Sequence, residues 1–493
     1  MELTAVQRDR ACGTLVTTAA GDALGAGYEF GAPLKPEQQV AMIGGGLGPF
    51  DPGEWTDDTS MAIAIAEIAA TGASLQNEAA LDRIVERWHW WARSAKDIGV
   101  QTNSVLKQSA RHGLSARTAR EAATALHEAT GRTAGNGSLM RTAPVAPAFL
   151  DDEDALANAA RTISELTHFD VDAGDACVLW CAAIRHAILT GELDVRIGLR
   201  HIDNGRRSMW AERLDVAETS APADFTGKNG WVVAALQSAW SAITTTPIPD
   251  DDAAAETFRA DHLRLALDAA VRGGGDTDTV AAIAGGLLGA VHGASAVPWQ
   301  WRLALKGWPG LNARGLVTLA EKIVDEGAPR SVHYPIAEWK RPRRPVQHPH
   351  DDGLWLGGVA ALRNLPTTVS LPKGVDAAIS LCGVNDEDIR GGIEHLDVRL
   401  HEKVSESPHL DFILLDTVRA VEKLRADGHT VYLHCEDATR RTPVVAALYG
   451  ARKRGIGVDQ ALQEVLEALP GAELRPDLIS SMHRLHPNTE EGK

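Results

Sequence analysis

Asp276-Thr277-Asp278-Thr279 comes immediately before an apolar segment at residues 280–291. This junction gives the main indication of the fold of the N-terminal part of the chain. The segment has no polar face, and it carries three glycines, Gly285, Gly286 and Gly289. A glycine inside a helix costs about 1 kcal/mol relative to alanine, so glycines found there usually mark close backbone packing. A helix that is apolar all round is buried. The sequence therefore predicts a central buried helix that begins at an acidic cluster.

The sequence around this helix, from about residue 5 to residue 327, has helical periodicity. One apolar stripe contains Leu81, Ile84, Val85, Trp88, Trp91 and Ala92, and another contains Cys177, Trp180, Cys181, Ile184 and Ile188. Their 3.6-residue spacing predicts amphipathic helices. Two groups of residues in these segments have an alternative interpretation. An aromatic binding box could be formed by Trp88, Trp90 and Trp91 with His89, and a metal could be bound by Cys177 and Cys181. We expect both groups to serve core packing instead.

A proline-rich stretch at residues 328–352 interrupts the helical pattern. It contains Pro329, Pro335, Pro342, Pro345 and Pro349, together with Arg341, Arg343 and Arg344. Proline restricts its own backbone and that of the preceding residue, so we expect a linker here. Beyond it, short buried strands at 377–381 and 430–433 alternate with helices at 410–425 and 443–454. This order predicts a small α/β domain with a parallel sheet.

The composition excludes several classes of protein. A chain of 493 residues has room for two to four domains. Lys and Arg number 49 and Asp and Glu 66, a formal net charge of −17, so we expect no general affinity for nucleic acid or for a membrane. Five cysteines are too few for a secreted disulfide framework, and no signal core or membrane-spanning apolar run is evident. We therefore expect a soluble, cytoplasmic protein.

A second acidic cluster, Thr56-Asp57-Asp58-Thr59, precedes a helix expected at residues 60–70. Helix capping explains either cluster alone, because Thr and Asp at a helix start satisfy free amides and favour the helix dipole. Two similar clusters instead indicate that the two helix starts meet. Four carboxylates at one point repel one another unless cations neutralise them. The ligands are all hard oxygens, so Mg²⁺, Mn²⁺ or Ca²⁺ is favoured, and two ions are expected rather than one.

Two glycine-containing segments are candidates for ligand contact. Residues 21–27 read Gly-Asp-Ala-Leu-Gly-Ala-Gly and are followed by Glu29. Residues 135–138 read Gly-Asn-Gly-Ser and precede Met140 and Arg141. Turns of this kind expose backbone amides that can hold a diphosphate. A purely structural turn is the alternative for each segment.

Together these motifs resemble the ADP-ribosylglycohydrolase family. The matching blocks are residues 21–25 with Glu29, residues 56–59, residues 135–141, Thr167-His168 and residues 274–279. The resemblance implies an all-α fold with two Mg²⁺ ions, sometimes Mn²⁺, at the base of an ADP-ribose cleft. It implies that the metal ligands are Thr56, Asp57, Asp58, Asp276, Asp278 and Thr279, that Glu29, Asp57 and Asp278 are catalytic, and that Gly135, Asn136, Gly137, Ser138 and His168 contact ADP-ribose.

The resemblance further implies hydrolysis of the bond between ribose C1″ and an acceptor atom, with an ADP-ribosylated substrate and ADP-ribose as product. Positive charge develops on the ribose ring in such a cleavage. Metals hold ribose hydroxyls and activate a water, and a carboxylate moves a proton. The acceptor stays open among arginine, serine and small-molecule or nucleic-acid groups. The alternative is a reader that binds ADP-ribose without cleaving it, but a full set of six metal-ligating residues favours the hydrolase.

The C-terminal region has a separate candidate site at Cys435. Cys435 follows the strand expected at 430–433, and Arg441 stands six positions later, before Thr442 and Pro443. A loop wrapped on a helix N-terminus, with Thr442 as the N-cap, offers amides to a phosphate and lowers the pKa of a thiol. Arginine binds phosphate oxygens bidentately. The alternative is a buried structural cysteine.

This segment, with residues 354–358, resembles the dual-specificity branch of the protein tyrosine phosphatases. The resemblance implies Cys435 as nucleophile, Arg441 as phosphate clamp, Thr442 as the hydroxyl that assists turnover, and Glu402 or Asp397 as general acid. The loop departs from the family because it has Ala438 where glycine is usual, and Glu436 and Asp437 add negative charge. A phosphate-binding module without turnover is therefore the alternative.

The whole sequence predicts a multidomain chain. An all-α, ADP-ribosylglycohydrolase-like bundle is expected at residues 1–327, followed by the Pro/Arg-rich linker at 328–352. An α/β, phosphatase-like domain with a small parallel sheet is expected at residues 353–493.

Overall fold

The computed structural model describes residues 2–328, 332, 344–363, 369–401 and 403–487. The chain divides into two compact units. Unit 1 contains Met1–Ile248, His262–Val297 and Ala304–Arg330, and unit 2 contains Pro249–Asp261, Pro298–Leu303 and Ser331–Lys493. Two short segments upstream of residue 327 therefore group with the C-terminal part. The expected boundaries at 327 and 353 stay a prediction.

Residues 2–328 are mostly helical, as predicted. The helices are α1 (Ala5–Gly25), α2 (Asp57–Ala69), α3 (Glu78–Ala92), α4 (Val100–Arg111), α5 (Ala116–Thr130), α6 (Glu153–Glu165), α7 (Val171–Thr190), α8 (Asn204–Thr219), α9 (Val232–Thr245), α10 (Asp261–Gly273), α11 (Thr277–His292), α12 (Trp299–Ala304) and α13 (Ala313–Val324). Two antiparallel strands of two residues each, β1 (Lys306–Gly307) and β2 (Leu311–Asn312), lie between α12 and α13.

Glycines bring α1 and α11 into backbone contact at the centre of unit 1. A β-carbon on Gly285 would lie 2.2 Å from the carbonyl oxygen of Thr17, and one on Gly289 would lie 2.0 Å from that of Gly13. From the other side, a β-carbon on Gly21 would lie 2.1 Å from the carbonyl oxygen of Ala281. Only glycine permits such an approach. The predicted buried, glycine-packed helix is therefore confirmed as α11.

The two predicted apolar stripes face the core. In α3, Leu81, Ile84, Val85, Trp88 and Trp91 are buried and Ala92 is partly buried, and all five stripe residues of α7 are buried. Among the described residues, α7 is long and apolar enough to cross a membrane, which corrects the expectation that no segment reaches that length. However, 78% of its most apolar window is buried inside the protein. Core packing accounts for the apolar character of α7.

A five-stranded sheet organises unit 2. Its strands are β3 (Val346–His348), β4 (Asp351–Gly358), β5 (Ala377–Ser380), β6 (Glu394–Asp397) and β7 (Val431–Cys435), in the order β3-β4-β7-β5-β6. Its helices are α14 (Leu410–Ala426), α15 (Arg441–Arg454), α16 (Val458–Ala468) and α17 (Pro476–Leu485). The β4, β7, β5 and β6 strands are parallel, as predicted, and β3 pairs antiparallel with β4.

Two strands of the sheet overlap the expected linker. β3 and the start of β4 fall within residues 328–352, so the last residues of this stretch belong to the sheet. Pro345 and Pro349 flank β3 directly, and an edge strand tolerates this because one of its sides needs no ladder hydrogen bonds. Of the arginines named for the linker, Arg341 and Arg343 lie outside the described residues, and Arg344 is exposed.

Candidate functional site

The starts of α2 and α11 meet, as the two acidic clusters predict. Thr56 Oγ1 lies 3.0 Å from Asp58 Oδ2 and 3.4 Å from Asp278 Oδ2. One carboxylate oxygen from each of Asp22, Asp58 and Asp278 lies within 4.8 Å of the other two. All three carboxylates are buried. We call these residues, with Glu29, Asp57 and Asp276, the acidic cluster.

Capping of their own helices does not explain the side chains at the two helix starts. Thr56 occupies the N-cap position of α2, yet its side chain accepts no bond from the amides of that helix. Asp276 occupies the N-cap position of α11 and likewise makes no side-chain capping bond. It accepts instead from Asn136 Nδ2 at 2.8 Å. The arrangement therefore favours a ligand site over capping.

Asp22 is a member of the cluster that the sequence reasoning missed. It accepts bonds from the backbone nitrogens and the hydroxyls of Thr56 and Thr59, at 2.6–2.9 Å, and so caps α2 from α1. The expected open turn at residues 21–27 is wrong, because α1 continues to Gly25 and a 3₁₀ turn follows at Ala26–Tyr28. The sequence did contain a signal for Asp22, namely an aspartate among small residues inside a helical stretch. An aspartate is rarely buried unless hydrogen bonds or a charge compensate it.

Without a cation, burial and mutual repulsion raise the free energy of the charged carboxylates in the acidic cluster. Burial raises the pKa of Asp58 well above its usual value, and the charges of Asp22, Asp57 and Asp276 raise it further. Burial also raises the pKa of Asp278 well above its usual value, with the charge of Asp58 as the next cause. A buried carboxyl that stays charged needs a cationic or hydrogen-bonding partner.

The donor set fits a hard divalent cation. Asp58 Oδ1 is buried and has no hydrogen-bond partner among the described residues. The two groups of clustered ligand atoms contain only carboxylate oxygens, which suit Mg²⁺ or Mn²⁺ better than Zn²⁺. An orphaned buried oxygen beside two further carboxylates is the arrangement that such an ion satisfies.

Glu29 lies at the margin of the cluster and is partly exposed. One of its oxygens lies within 4.8 Å of oxygens of Asp276 and Asp278, which makes a second candidate group of ligands. Burial raises the pKa of Glu29 to about 8, and the charges of Asp276, Asp97 and Asp57 contribute. In the absence of a cation, its carboxyl group therefore holds a proton at neutral pH.

Asp57 differs from the other predicted metal ligands. It belongs to neither group of clustered ligand atoms among the described residues. Its Oδ2 accepts a bond from the backbone nitrogen of Gly99 at 3.3 Å. Burial raises its pKa to about 8, followed by the charge of Asp97. Asp57 is therefore placed beside the ligand groups and in contact with the segment that begins α4.

The predicted ADP-ribose segment at residues 135–138 lies beside the acidic cluster. The amide of Asn136 joins it to Asp276. A β-carbon on Gly135 would lie 3.3 Å from Nε2 of His168, and one on Gly137 would lie 3.2 Å from it. The imidazole therefore packs directly on the glycine turn, and a side chain at either glycine would displace it.

Two other predicted residues are turned differently. Ser138 is buried, and Cys177 Sγ donates to its hydroxyl at 3.6 Å, so this side chain faces the core. Thr279 lies in the first turn of α11, where its backbone nitrogen donates to Asp278 Oδ1 at 2.9 Å and its hydroxyl approaches Met140 Sδ at 3.9 Å.

A buried network holds His168 in place. Arg141 Nη2 donates to Thr167 Oγ1 at 2.6 Å, and Thr167 Oγ1 lies 2.7 Å from His168 Nδ1. The Arg141 guanidinium carbon lies 4.0 Å above the ring of Trp88. Burial lowers the pKa of His168 well below its usual value, and the charge of Arg141 lowers it further. The imidazole is therefore neutral at neutral pH.

In unit 2, the parallel strands place Cys435 and Asp397 at one edge of the sheet. Cys435 ends β7, Asp397 ends β6, and Ser380 at the end of β5 is in register with both Asp397 and His434. Asp397 Oδ1 is buried without a hydrogen-bond partner among the described residues. The other candidate acid, Glu402, lies outside the described residues.

Arg441 and Thr442 begin α15 directly after the Cys435 loop. The expectation that Thr442 is the N-cap is wrong, because α15 starts at Arg441 and Arg440 takes the cap position. Arg441 Nη1 donates to the carbonyl oxygens of Leu381 and Leu400 at 3.2 and 2.8 Å, which fixes the guanidinium. Thr442 Oγ1 is buried without a partner among the described residues.

The departure at Ala438 has a structural cost. Its φ of 62° lies in the left-handed region, where an L-residue with a β-carbon costs about 1–2 kcal/mol. A glycine at this position would avoid that cost. Alanine therefore holds the loop in a conformation that glycine adopts more readily.

The comparisons with known proteins concern mainly the N-terminal part of the chain. The family model described as ADP-ribosylglycohydrolase matches residues 3–332. ADP-ribosylarginine hydrolase Tri1 of Pseudomonas putida is 28% identical over 298 residues, which are 59% of this chain and 73% of that protein. The ADP-ribosyl-[dinitrogen reductase] glycohydrolase of Rhodospirillum rubrum is 29% identical over 300 residues, 59% of this chain and 89% of that protein.

A solved structure is similar to a smaller part of the chain. The crystal structure of human DUSP28 is 22% identical, covers 29% of this chain and 94% of its own, and has a TM-score of 0.26. A TM-score of this size does not establish a shared fold.

Proposed function

We propose a function on the premise that this chain belongs to the ADP-ribosylglycohydrolase family. The family model matches residues 3–332, and the names of the similar proteins support an ADP-ribosyl hydrolase. We infer further that the reaction is hydrolysis of the bond between ribose C1″ and a guanidine nitrogen of an ADP-ribosylated arginine. The similar protein named for ADP-ribosylarginine supports this linkage, and the one named for ADP-ribosylated dinitrogen reductase supports a protein as the acceptor. A divalent cation, Mg²⁺ or Mn²⁺, is part of the proposal.

One observation carries the proposal, namely the convergence of Asp22, Asp58 and Asp278 from α1, α2 and α11 on one point. Asp58, Asp276 and Asp278 are the residues that would hold the cations. When bound, the cations would supply charge stabilisation to a ribose hydroxyl and to an attacking water. Two ions fit the two groups of ligand oxygens, since Asp278 belongs to both.

Glu29 is proposed to move the proton. As the C1″ bond breaks, its carboxyl group donates a proton to the leaving nitrogen, and the resulting carboxylate accepts a proton from the water whose oxygen bonds to C1″. Its partly exposed place at the margin of the cluster suits this role, because a carboxyl group there can reach both the leaving nitrogen and a water. Asn136 and His168 are proposed to line the diphosphate side, because they border the acidic cluster through Asp276 and the glycine turn.

The test is release of ADP-ribose from arginine-, serine- and phosphate-linked ADP-ribosyl substrates, with Mg²⁺ or with EDTA. We expect release from the arginine-linked substrate that EDTA abolishes and Mg²⁺ restores. No release from any substrate, together with measurable ADP-ribose binding, would establish the reader alternative instead.

A second function is proposed for the Cys435 loop. Two observations favour phosphate binding there, the fixed guanidinium of Arg441 and the unpartnered hydroxyl of Thr442. Cys435 would attack phosphorus and form a phosphocysteine, with Asp397 protonating the leaving oxygen. Hydrolysis of p-nitrophenyl phosphate that Cys435→Ser abolishes is the expected result. Tungstate binding without hydrolysis would show a binding module, and neither activity would show a structural cysteine.

A further inference from the structure

A cavity of about 350 Å³ opens beside the acidic cluster in unit 1. Its lining includes Thr56 and Asp57 at the start of α2, so it is continuous with the proposed active site. Its walls are aromatic, with Phe50, Trp90 and Trp308 among them. The sequence had indicated core packing for the tryptophans near residue 90, but Trp90 is 50% exposed. The proposed reaction leaves this wall unexplained.

Trp90 and Trp308 form an ordered aromatic surface, because each ring contacts the other and both contact the same guanidinium group. The Trp90 and Trp308 ring centroids lie 5.5 Å apart with an angle of 53° between the rings. The Arg87 guanidinium carbon lies 4.8 Å from the Trp90 centroid and 4.9 Å from the Trp308 centroid, and Glu67 holds that guanidinium through an ion pair of 2.5 Å. The pair of rings thus already binds one guanidinium group of the protein itself.

The position of Trp308 is fixed from the opposite side. Trp55 Nε1 donates to the carbonyl oxygen of Trp308 at 3.2 Å. A β-carbon on the neighbouring Gly307 would lie 2.4 Å from the Trp55 ring, so the chain crosses that ring in close contact. Ordered aromatic walls recognise planar cations because the ring faces carry partial negative charge.

The charges along the cavity match a cation as well. Its charged lining residues are Glu54, Asp57, Lys96 and Asp97. Lys96 Nζ lies 2.7 Å from both carboxylate oxygens of Glu54, which leaves this pair neutral. Among the described residues, Asp57 and Asp97 have no cationic partner, and they accept only backbone bonds from Gly99 and Ile98. The carboxylate of Asp97 therefore gives the cavity negative charge, and Asp57 adds to it when a bound cation keeps its carboxyl group deprotonated.

We propose that the cavity walled by Trp90 and Trp308 is the acceptor subsite, which binds the guanidinium of an ADP-ribosylated arginine side chain. This proposal rests on the proposed function, because it assigns the acceptor side of the same reaction. Guanidinium is planar, weakly hydrated and permanently charged, so it gains from an aromatic face and a carboxylate together. A serine-linked acceptor carries neither the charge nor the planar group.

A direct binding experiment tests the subsite without relying on catalysis. Saturation-transfer NMR is recorded on the full chain with ethylguanidinium and with N-ethylurea, which has a similar shape and no charge. We expect saturable binding of ethylguanidinium by the wild type, loss of that binding in Trp308→Ala, and retention in Trp308→Phe. Val216→Ala, at an exposed position of α8, is the control. Equal signals from the two probes, or binding unchanged in Trp308→Ala, would overturn the proposal.

A kinetic experiment separates this proposal from the proposed function. In Trp308→Ala we expect KM for the arginine-linked substrate to rise roughly tenfold, the size of effect an aromatic–cation contact supplies, with kcat little changed. The affinity for free ADP-ribose should stay the same. Absence of ADP-ribose release in the wild type would refute the proposed function, whereas equal losses on arginine- and serine-linked substrates would refute the subsite.

Discussion

At the scale of single residues, Asp278 is the most informative position in the acidic cluster, because its carboxylate belongs to both groups of ligand oxygens. Every other member of the two groups belongs to one group only, so its replacement removes a ligand oxygen from that group alone. Asp278 therefore tests the idea of a shared, two-ion site more directly than Glu29 or Asp57.

In Asp278→Ala, we expect ADP-ribose release and stabilisation by Mg²⁺ both to be lost. The free energy of unfolding in EDTA should not fall, because removal of a buried carboxylate relieves repulsion among the others. Release assays and urea unfolding measure the two effects. Asp215→Asn is the control, since this surface carboxylate pairs with Arg196 and its loss should change stability by less than about 1 kcal/mol. Retained Mg²⁺-dependent release in Asp278→Ala would contradict the assignment.

Ala438 provides a second test at the residue scale. Replacement by glycine removes the cost of the left-handed conformation, so Ala438→Gly should raise the free energy of unfolding by up to about 1 kcal/mol. The same change at Ala447, inside α15, should lower it by about 1 kcal/mol or more. Urea unfolding of both variants measures the difference. A lower stability in Ala438→Gly would show that the loop does not carry this strain.

At the scale of elements, the contact between α1 and α11 builds the acidic cluster. α1 carries Asp22 near its C-terminal end, and α11 carries Asp278 in its first turn. A β-carbon on Gly25 would lie 2.4 Å from Cα of Asp278, so the close backbone packing extends to the site itself. The separation of these two helices therefore determines the spacing of the carboxylates.

Gly285→Ala should destabilise the fold and weaken the proposed metal site. The added β-carbon would lie 2.2 Å from the carbonyl oxygen of Thr17, so α1 and α11 must move apart. We expect a loss of about 1–3 kcal/mol in the free energy of unfolding and a weaker affinity for Mg²⁺. Gly227→Ala is the matched control, because a β-carbon there meets no atom within 4 Å. Equal effects of the two changes would argue against helix separation as the cause.

At the scale of the whole molecule, the acidic cluster links stability to pH and, under the proposed function, to a bound cation. Burial raises the folded-state pKa of Glu29 and of Asp57 to about 8, above the values these groups have in an unfolded chain. The folded state therefore holds more protons than the unfolded state between the two values. Stability from these groups is present at low pH and is lost as the pH rises towards 8.

We therefore expect the melting temperature in EDTA to fall between about pH 5 and pH 8. A bound cation favours the charged carboxylates, so stabilisation by Mg²⁺ should increase over the same interval. Thermal melts with EDTA and with Mg²⁺ across this range measure both trends. In Asp278→Ala the Mg²⁺ effect should disappear. A Mg²⁺ effect that is constant with pH would show that the ion binds elsewhere.

Features that depend on neighbouring residues could be predicted from the amino-acid sequence. The helical stripes of α3 and α7, the buried glycine-rich α11 and the parallel strands β5 and β7 follow from periodicity and local composition. The prediction that two acidic helix starts meet also came from sequence, because their charges are hard to explain separately. The resemblance to the ADP-ribosylglycohydrolase family rested on the same motifs, and the family model over residues 3–332 confirmed it.

Contacts between groups that are far apart in the chain could be seen only in the folded molecule. Asp22 joined the cluster because α1 packs against α2 and α11, and that contact has no local signature. Trp90 became a cavity wall because residue 308 reaches it, although its spacing indicated the core. Local propensity acts over a few residues, whereas a site requires the packing of elements more than 200 residues apart. That packing determines the directions in which the side chains of the acidic cluster and of the cavity wall point.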